Sequence, residues 1–163
     1  MRFASIDYQI KLCKDHLDAT KAWTTEVEFV LVQYLLIRIC AEWELRLPLM
    51  FERRCARSTD PHLREFATGS AKYFSKRFDI TDIGKTLKRF GADYHKNFND
   101  AVTSTNAYTA WASIYANRHA VAHLSGVQMT FADLMTAYQD ALAVFDVLVL
   151  TLGLTVDETK DFT

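Results

Sequence analysis

The sequence predicts an all-α protein, a helical bundle of about four to five main helices plus short middle helices. Three observations carry this. Apolar residues recur at helical spacing over long stretches, above all 6–17, 27–49 and 131–149. Helix-start signals precede several helical segments: Thr25 three residues before Glu28, Asp60 beside Pro61, and Thr130 three residues before Asp133. Breakers are few, with five Gly and two Pro in 163 residues, and no stretch shows the alternation of a half-buried strand.

Ser5 is placed to cap a first helix whose stripe is Ile6, Ile10, Cys13 and Leu17, ending around Lys21-Ala22. Thr25 and Glu28 read as a capping box that opens the longest helix, running to about Arg57. Pro48 should kink or break that helix near Arg46, because it removes a backbone donor. Between Val27 and Ile39 apolar residues surround almost the whole circumference, so this helix should be covered on more than one side, by its own bundle or by a second subunit.

Asp60-Pro61 opens a short helix to Thr68, which Gly69 can end in the left-handed conformation. Residues 70–81 read as a connector, with Tyr73, Phe74 and Phe78 interleaved among Lys72, Lys76 and Arg77. Thr81 or Asp79 starts another short helix ending near Phe90. Asn97, Asn99, Asp100, Ser104, Thr105 and Asn106 then read as a polar, turn-rich region. The next long helix runs from near Asn106 to Leu124-Ser125-Gly126. Thr130, with Asp133 in the capping-box position, starts the final one, which Gly153 closes. The whole chain, 1–163, reads as a single domain, with a core of about 25–153, an N-terminal helix at 1–22 and a frayed acidic tail at 154–163.

Half the residues are hydrophobic and a quarter charged, a globular rather than disordered composition. The net charge of −1 gives no overall signal for nucleic acid or an anionic membrane. Its distribution is uneven: residues 52–90 hold ten Lys/Arg against five Asp/Glu. Such a basic strip can steer a polyanion, or can be an ordinary solvated face of mixed charge. Cys13, Cys40 and Cys55 are odd in number and far apart, which suits free thiols in a reducing cytoplasm. No signal peptide is expected. Glu28, Gln33, Arg38, Glu42, Glu44 and Arg46 interrupt the apolar 27–49 stretch too often for a membrane span.

The chemistry concentrates in Arg118-His119-Ala120-Val121-Ala122-His123, introduced by Tyr115-Ala116-Asn117. Arginine is always charged and histidine switches near neutral pH, a combination suited to phosphate chemistry. On a helix Arg118 shares the apolar stripe of Trp111, Ile114, Tyr115 and Ala122, where its charge must reach solvent or be paired. An acidic residue of the long second helix can supply the partner. His123 lies on a neighbouring face with Ala112, Ala116, Ala120 and His119, small enough for another helix to approach closely. Arg118 and His123 are about 140° apart on a straight helix, so one copy presents them poorly to a single phosphate, whereas two copies about a two-fold axis can surround one. On the second helix Arg38 and Glu42, four apart, read either as an internal ion pair or with Glu42 orienting Arg118 or a histidine. His119 and His123 also have the spacing of two metal ligands, but a site would need His62, His95, Asp133 or Glu42 brought in by the fold.

The run Asn117-Arg118-His119-Ala120-Val121-Ala122-His123 resembles the signature of HEPN domains, an arginine followed after four to six residues by histidine, with His119 in the usual polar position after the arginine. A Tyr-Leu-Leu-x-Arg-x-x-Ala-Glu-x-Glu run at Tyr34–Glu44, the short middle helices and the terminal amphipathic helix are similar too, closest to the RiboL-PSP-HEPN group and over about residues 25–153. The resemblance implies a HEPN-like bundle and a metal-independent endoribonuclease that works as a homodimer, with two motifs meeting at a shared cleft. Many relatives are toxins of toxin–antitoxin pairs or RNA-cutting effectors of phage defence; others are inactive modules that bind RNA, a nucleotide or a protein partner. It further implies catalytic roles for Arg118 and His123, with Asn117, His119, Glu42 and Arg38 in support. No cofactor and no membrane is implied; the partners would be RNA, a second copy, and an antitoxin or defence-system protein. Arg53, Arg54, Arg57, Lys85, Lys88 and Arg89 would form the RNA track, with Tyr73 and Phe74 as stacking partners.

Overall fold

A computed structural model describes residues 3–71, 78–123, 126–127 and 129–155. Among these it is all-α, with helices α1 (Ala4–Thr20), α2 (Glu26–Ala56), α3 (Pro61–Ala71), α4 (Ile80–Lys88), α5 (Ala92–Thr103), α6 (Ala107–Ala122) and α7 (Phe131–Thr151). The stretch around Tyr73 and Phe74, the end of the motif helix at Leu124-Ser125, and the acidic tail beyond Thr155 lie outside the described residues.

The bundle is built on α2, α6 and α7, and its centre is aromatic. Trp43 of α2 stacks on Trp111 of α6 with centroids 4.1 Å apart and planes 13° from parallel. Phe145 of α7 tilts against both, at 5.8 Å and 5.4 Å. The Trp111 indole N–H donates to the Phe78 carbonyl at 2.7 Å, so the ring's one polar atom is satisfied inside the core. α1 belongs to the same core through Phe3, Ile6, Cys13 and Leu17. Phe3, not Ser5, holds the N-cap position, and its ring packs edge-on against Phe145 at 4.9 Å. Burial of that aromatic ring sets where the helix begins, at the cost of a hydroxyl cap.

Local signals set most helix starts. Thr130 and Asp133 form a full capping box for α7, and the two hydrogen bonds from Thr130 hold the Asp133 carboxyl below its ordinary pKa. Asp60 accepts from the His62 and Leu63 amides, and Asp79 from that of Asp82. Thr25 caps α2, but Glu28 does not close the box on Thr25. The buried Glu28 accepts instead from the Thr24 amide at 2.6 Å and the Phe131 amide at 2.9 Å, joining the starts of α2 and α7.

Three other expectations are corrected. α2 runs unbroken through Pro48, since burial on both sides of it outweighs one lost hydrogen bond. α3 continues past Gly69 to Ala71. The polar stretch after Gly91 is helix α5, anchored by Phe98 and Val102, four apart and buried, while Asp93, Asn97 and Asp100 are exposed. α7 is by length and apolarity comparable with a membrane span, but Leu134, Tyr138, Ala141, Phe145 and Leu148 are buried in the bundle.

Glu28 is the most consequential polar group of this core. Glu28→Ala leaves two helix-start amides without their acceptor and should cost about 2–3 kcal/mol. Urea denaturation checks this, with Glu28→Gln, which keeps an acceptor oxygen, expected to lose less.

Candidate active site

α6 places the arginine and the histidines on different sides of one helix end. The Trp43–Trp111 stack fixes the rotation of α6 against α2, and Arg118 lies two turns after Trp111 on the same side. Its guanidinium therefore reaches α2, where Nη2 donates to Glu44 Oε1 at 3.0 Å. Both side chains keep 34% of their surface exposed, so the pair sits at the mouth of the α2–α6 groove. Its charge is thus paired and not buried, which avoids most of the desolvation cost of a core ion pair. Among the described residues, Arg118 Nε and Nη1 carry no hydrogen bond and remain available as donors.

His119 and His123 face outward. Their rings stack with centroids 5.0 Å apart and planes 18° from parallel, and Tyr115 meets His119 edge-on at 6.1 Å. His123 is the C-cap of α6, so both histidines stand at the end of the helix, exposed, one turn apart. The Asn117 amide donates to the Ser113 carbonyl at 3.0 Å, along its own helix.

The acidic partner of Arg118 differs from the expected one. Glu42 accepts from Arg46 Nε at 2.7 Å and Nη2 at 2.5 Å, an ion pair within α2 whose guanidinium lies over the Phe3 ring at 4.8 Å. Arg38 does not pair with Glu42; it donates to Gln9 Oε1 of α1 at 3.1 Å, as does the Tyr34 hydroxyl. Glu42 is thus engaged within α2 and Arg38 with α1, neither of them with Arg118. Glu44 was the residue to find. Its signal was its place in the Tyr34–Glu44 run, but two residues on a helix differ by about 160° in direction, and a helix apolar all round does not announce which side meets α6.

Cys40 lies beside the Arg118–Glu44 pair. Burial pushes its thiol up to about 12, opposed by the Arg118 charge and reinforced by that of Glu44. It is therefore a neutral wall of the groove rather than a nucleophile.

The basic strip divides by role. The Arg54 guanidinium donates to the Tyr94 hydroxyl at 2.6 Å, and that of Arg57 to the Gly153 carbonyl, so both also brace the bundle. Lys85 pairs with Asp82 at 2.9 Å, and Arg53, Lys88 and Arg89 are exposed. Arg54 and Arg57, with Leu63, Phe66 and Phe90, line a cavity of about 460 Å³. No group of three or more His, Cys, Asp or Glu among the described residues is placed to hold a metal ion; His119 and His123 have no third ligand there.

A family model, RiboL-PSP-HEPN, matches residues 2–153. The chain belongs to that family. The match takes in α1, which the motif resemblance had left outside, in keeping with the burial of Phe3, Ile6 and Leu17. HEPN domains are often ribonucleases, so membership supports an RNA-related role. Comparison with curated proteins and with solved structures finds no match.

The Cys40 environment has a measurable consequence. In the folded protein at about pH 8, iodoacetamide should leave Cys40 unlabelled, while denatured chain is alkylated at all three cysteines. Mass spectrometry of the tryptic peptides reads the outcome.

Proposed function

We propose that this HEPN protein is a metal-independent endoribonuclease that acts as a homodimer, in the manner of a toxin or a phage-defence effector. The observation that carries the proposal is the constellation at the end of α6. A half-exposed arginine is oriented by a carboxylate with donors to spare, next to two outward-facing histidines. Arg118 would donate to the non-bridging oxygens of the scissile phosphate as negative charge builds there. His123 of one copy would accept the proton of the ribose 2′-OH as its oxygen attacks phosphorus. The bond to the 5′-oxygen breaks, and His123 of the other copy would supply the proton to that leaving oxygen. The products are a 2′,3′-cyclic phosphate and a 5′-hydroxyl, and DNA, without the 2′-OH, is not a substrate. His119, stacked on His123, would fix its orientation. Asn117, whose amide donates along its own helix, would help position the scissile phosphate. Arg53, Lys85, Lys88 and Arg89, with the Arg54 and Arg57 cavity, would guide the RNA strand.

A second reading is a HEPN module without catalysis, binding RNA, a nucleotide or a partner such as an antitoxin. The Arg118–Glu44 pair favours it to the extent that the carboxylate already neutralises the guanidinium.

Incubation of purified protein with total RNA in EDTA separates the readings. Cleavage that survives EDTA, yields cyclic phosphate ends and spares DNA is the expected result. His123→Ala should keep its fold and lose about 10²–10⁴ in rate, and Arg118→Ala about 10²–10³. Intact RNA with saturable binding would assign the module reading, and unchanged cleavage in His123→Ala would remove that residue from the chemistry.

A further inference from the structure

The end of α7 directs the chain towards one particular cavity. Gly153, in the left-handed conformation at φ 65°, donates to the Leu150 carbonyl, and the Leu154 amide donates back to that of Val149 at 2.9 Å. This is the turned helix end that a glycine permits. Leu152 and Leu154 are buried on either side of it, so core packing fixes the direction of exit. The Gly153 carbonyl accepts from Arg57, which lines the cavity of about 460 Å³ between the end of α2, α3 and Phe90. The chain beyond Thr155 therefore departs beside a cavity-lining arginine.

The cavity has two unlike walls. Arg54 and Arg57, one helical turn apart at the end of α2, supply cations. Leu63, Phe66 and Ala67, on one face of α3, supply apolar surface together with Phe90. Leu63 is 59% exposed and Phe66 74%, so α3 leaves much of this wall open to water. Arg54 is engaged by Tyr94, through a hydrogen bond to the hydroxyl at 2.6 Å and through the ring, 5.7 Å from the guanidinium carbon. Among the described residues its charge meets no carboxylate, and its buried Nε has no hydrogen-bond partner. A partly buried cation in that state is stabilised by any anion brought to it.

Such walls fit an acidic segment that also carries an apolar group, and the chain supplies one where it departs. Residues 156–163 hold Asp157, Glu158 and Asp161 against Lys160 alone, and then Phe162. We infer that this segment docks in the Arg54–Arg57 cavity of its own chain, its carboxylates on the guanidiniums and Phe162 against Leu63 and Phe66. Reach is sufficient: residues 154–162 span up to about 30 Å when extended, whereas a cavity of this volume is about 10 Å across. So short a tether holds the segment near its site at an effective concentration of order mM, and modest contacts keep it there. Resting on the ribonuclease reading above, the docked segment is a built-in competitor on part of the RNA track. Docked for about nine-tenths of the time, it weakens the apparent RNA affinity about tenfold.

Disulfide trapping in the full chain tests the docking without reference to activity. Ala67→Cys puts a thiol in the apolar wall and Thr163→Cys puts one beside Phe162, while the three native thiols are buried. Under mild oxidation the double variant should close an intramolecular disulfide between positions 67 and 163, at a rate independent of protein concentration, as read by peptide mass spectrometry. Added to it, the neutral set Asp157→Asn, Glu158→Gln and Asp161→Asn should slow closure about fivefold or more, as should high salt. Phe162→Ala, or Phe66→Ala at its exposed position, should slow it comparably. Closure at the same rate in all these variants would mean that the tether alone brings the thiols together and would overturn the proposal. So would the absence of any disulfide in the double variant. Saturating RNA should also slow closure, and the neutral set should tighten RNA binding about tenfold. Closure that responds to the variants but not to RNA would uphold the docking and remove the cavity from the RNA track.

Discussion

The stack of Trp43 on Trp111 is the contact on which the arrangement of this protein depends. Two indoles 4.1 Å apart and nearly parallel leave little freedom for α6 to turn against α2. Phe145 closes the cluster from α7, so three helices share one aromatic centre. Rotation of α6 by one residue would carry Arg118 away from Glu44 and bury one of the outward-facing histidines. The polar chemistry at the surface is therefore indexed by apolar packing two turns away.

Glu28 makes a comparable connection at the other end of the bundle. One carboxylate serves amides at the starts of two helices that are far apart in sequence. The cap of α7 and the entry to α2 are thereby held together. The Arg46 guanidinium over the Phe3 ring and the bonds of Gln9 to Tyr34 and Arg38 tie α1, with the residue that precedes it, to the same helix.

The sequence was legible where one local rule decided the outcome. The Thr130 box, the Asp60 and Asp79 caps and the apolar period of α7 all appear in the fold. It was less legible where tertiary burial competed with a local rule. Pro48 stays within α2, Phe3 displaces Ser5 as the first cap, and Phe98 with Val102 hold α5 helical through a run of turn-forming residues. The motif residues Arg118, His119 and His123 were identifiable from spacing, but the carboxylate was not. Choosing Glu44 over Glu42 requires knowing which side of α2 faces α6, and that depends on where the tryptophans stack.

α3 stands apart from this economy of contacts. Among its described residues only Ala71 is buried, while Phe66 is 74% exposed and Leu63 also faces outward. A helix held by so little apolar area opens at a small fraction of the global unfolding free energy. Its amides should be among the first in the bundle to exchange with solvent, and sequence drift there should leave the rest of the fold intact. The segment beside the Arg54 and Arg57 cavity is thus the part of the molecule freest to diverge between relatives that keep the same core.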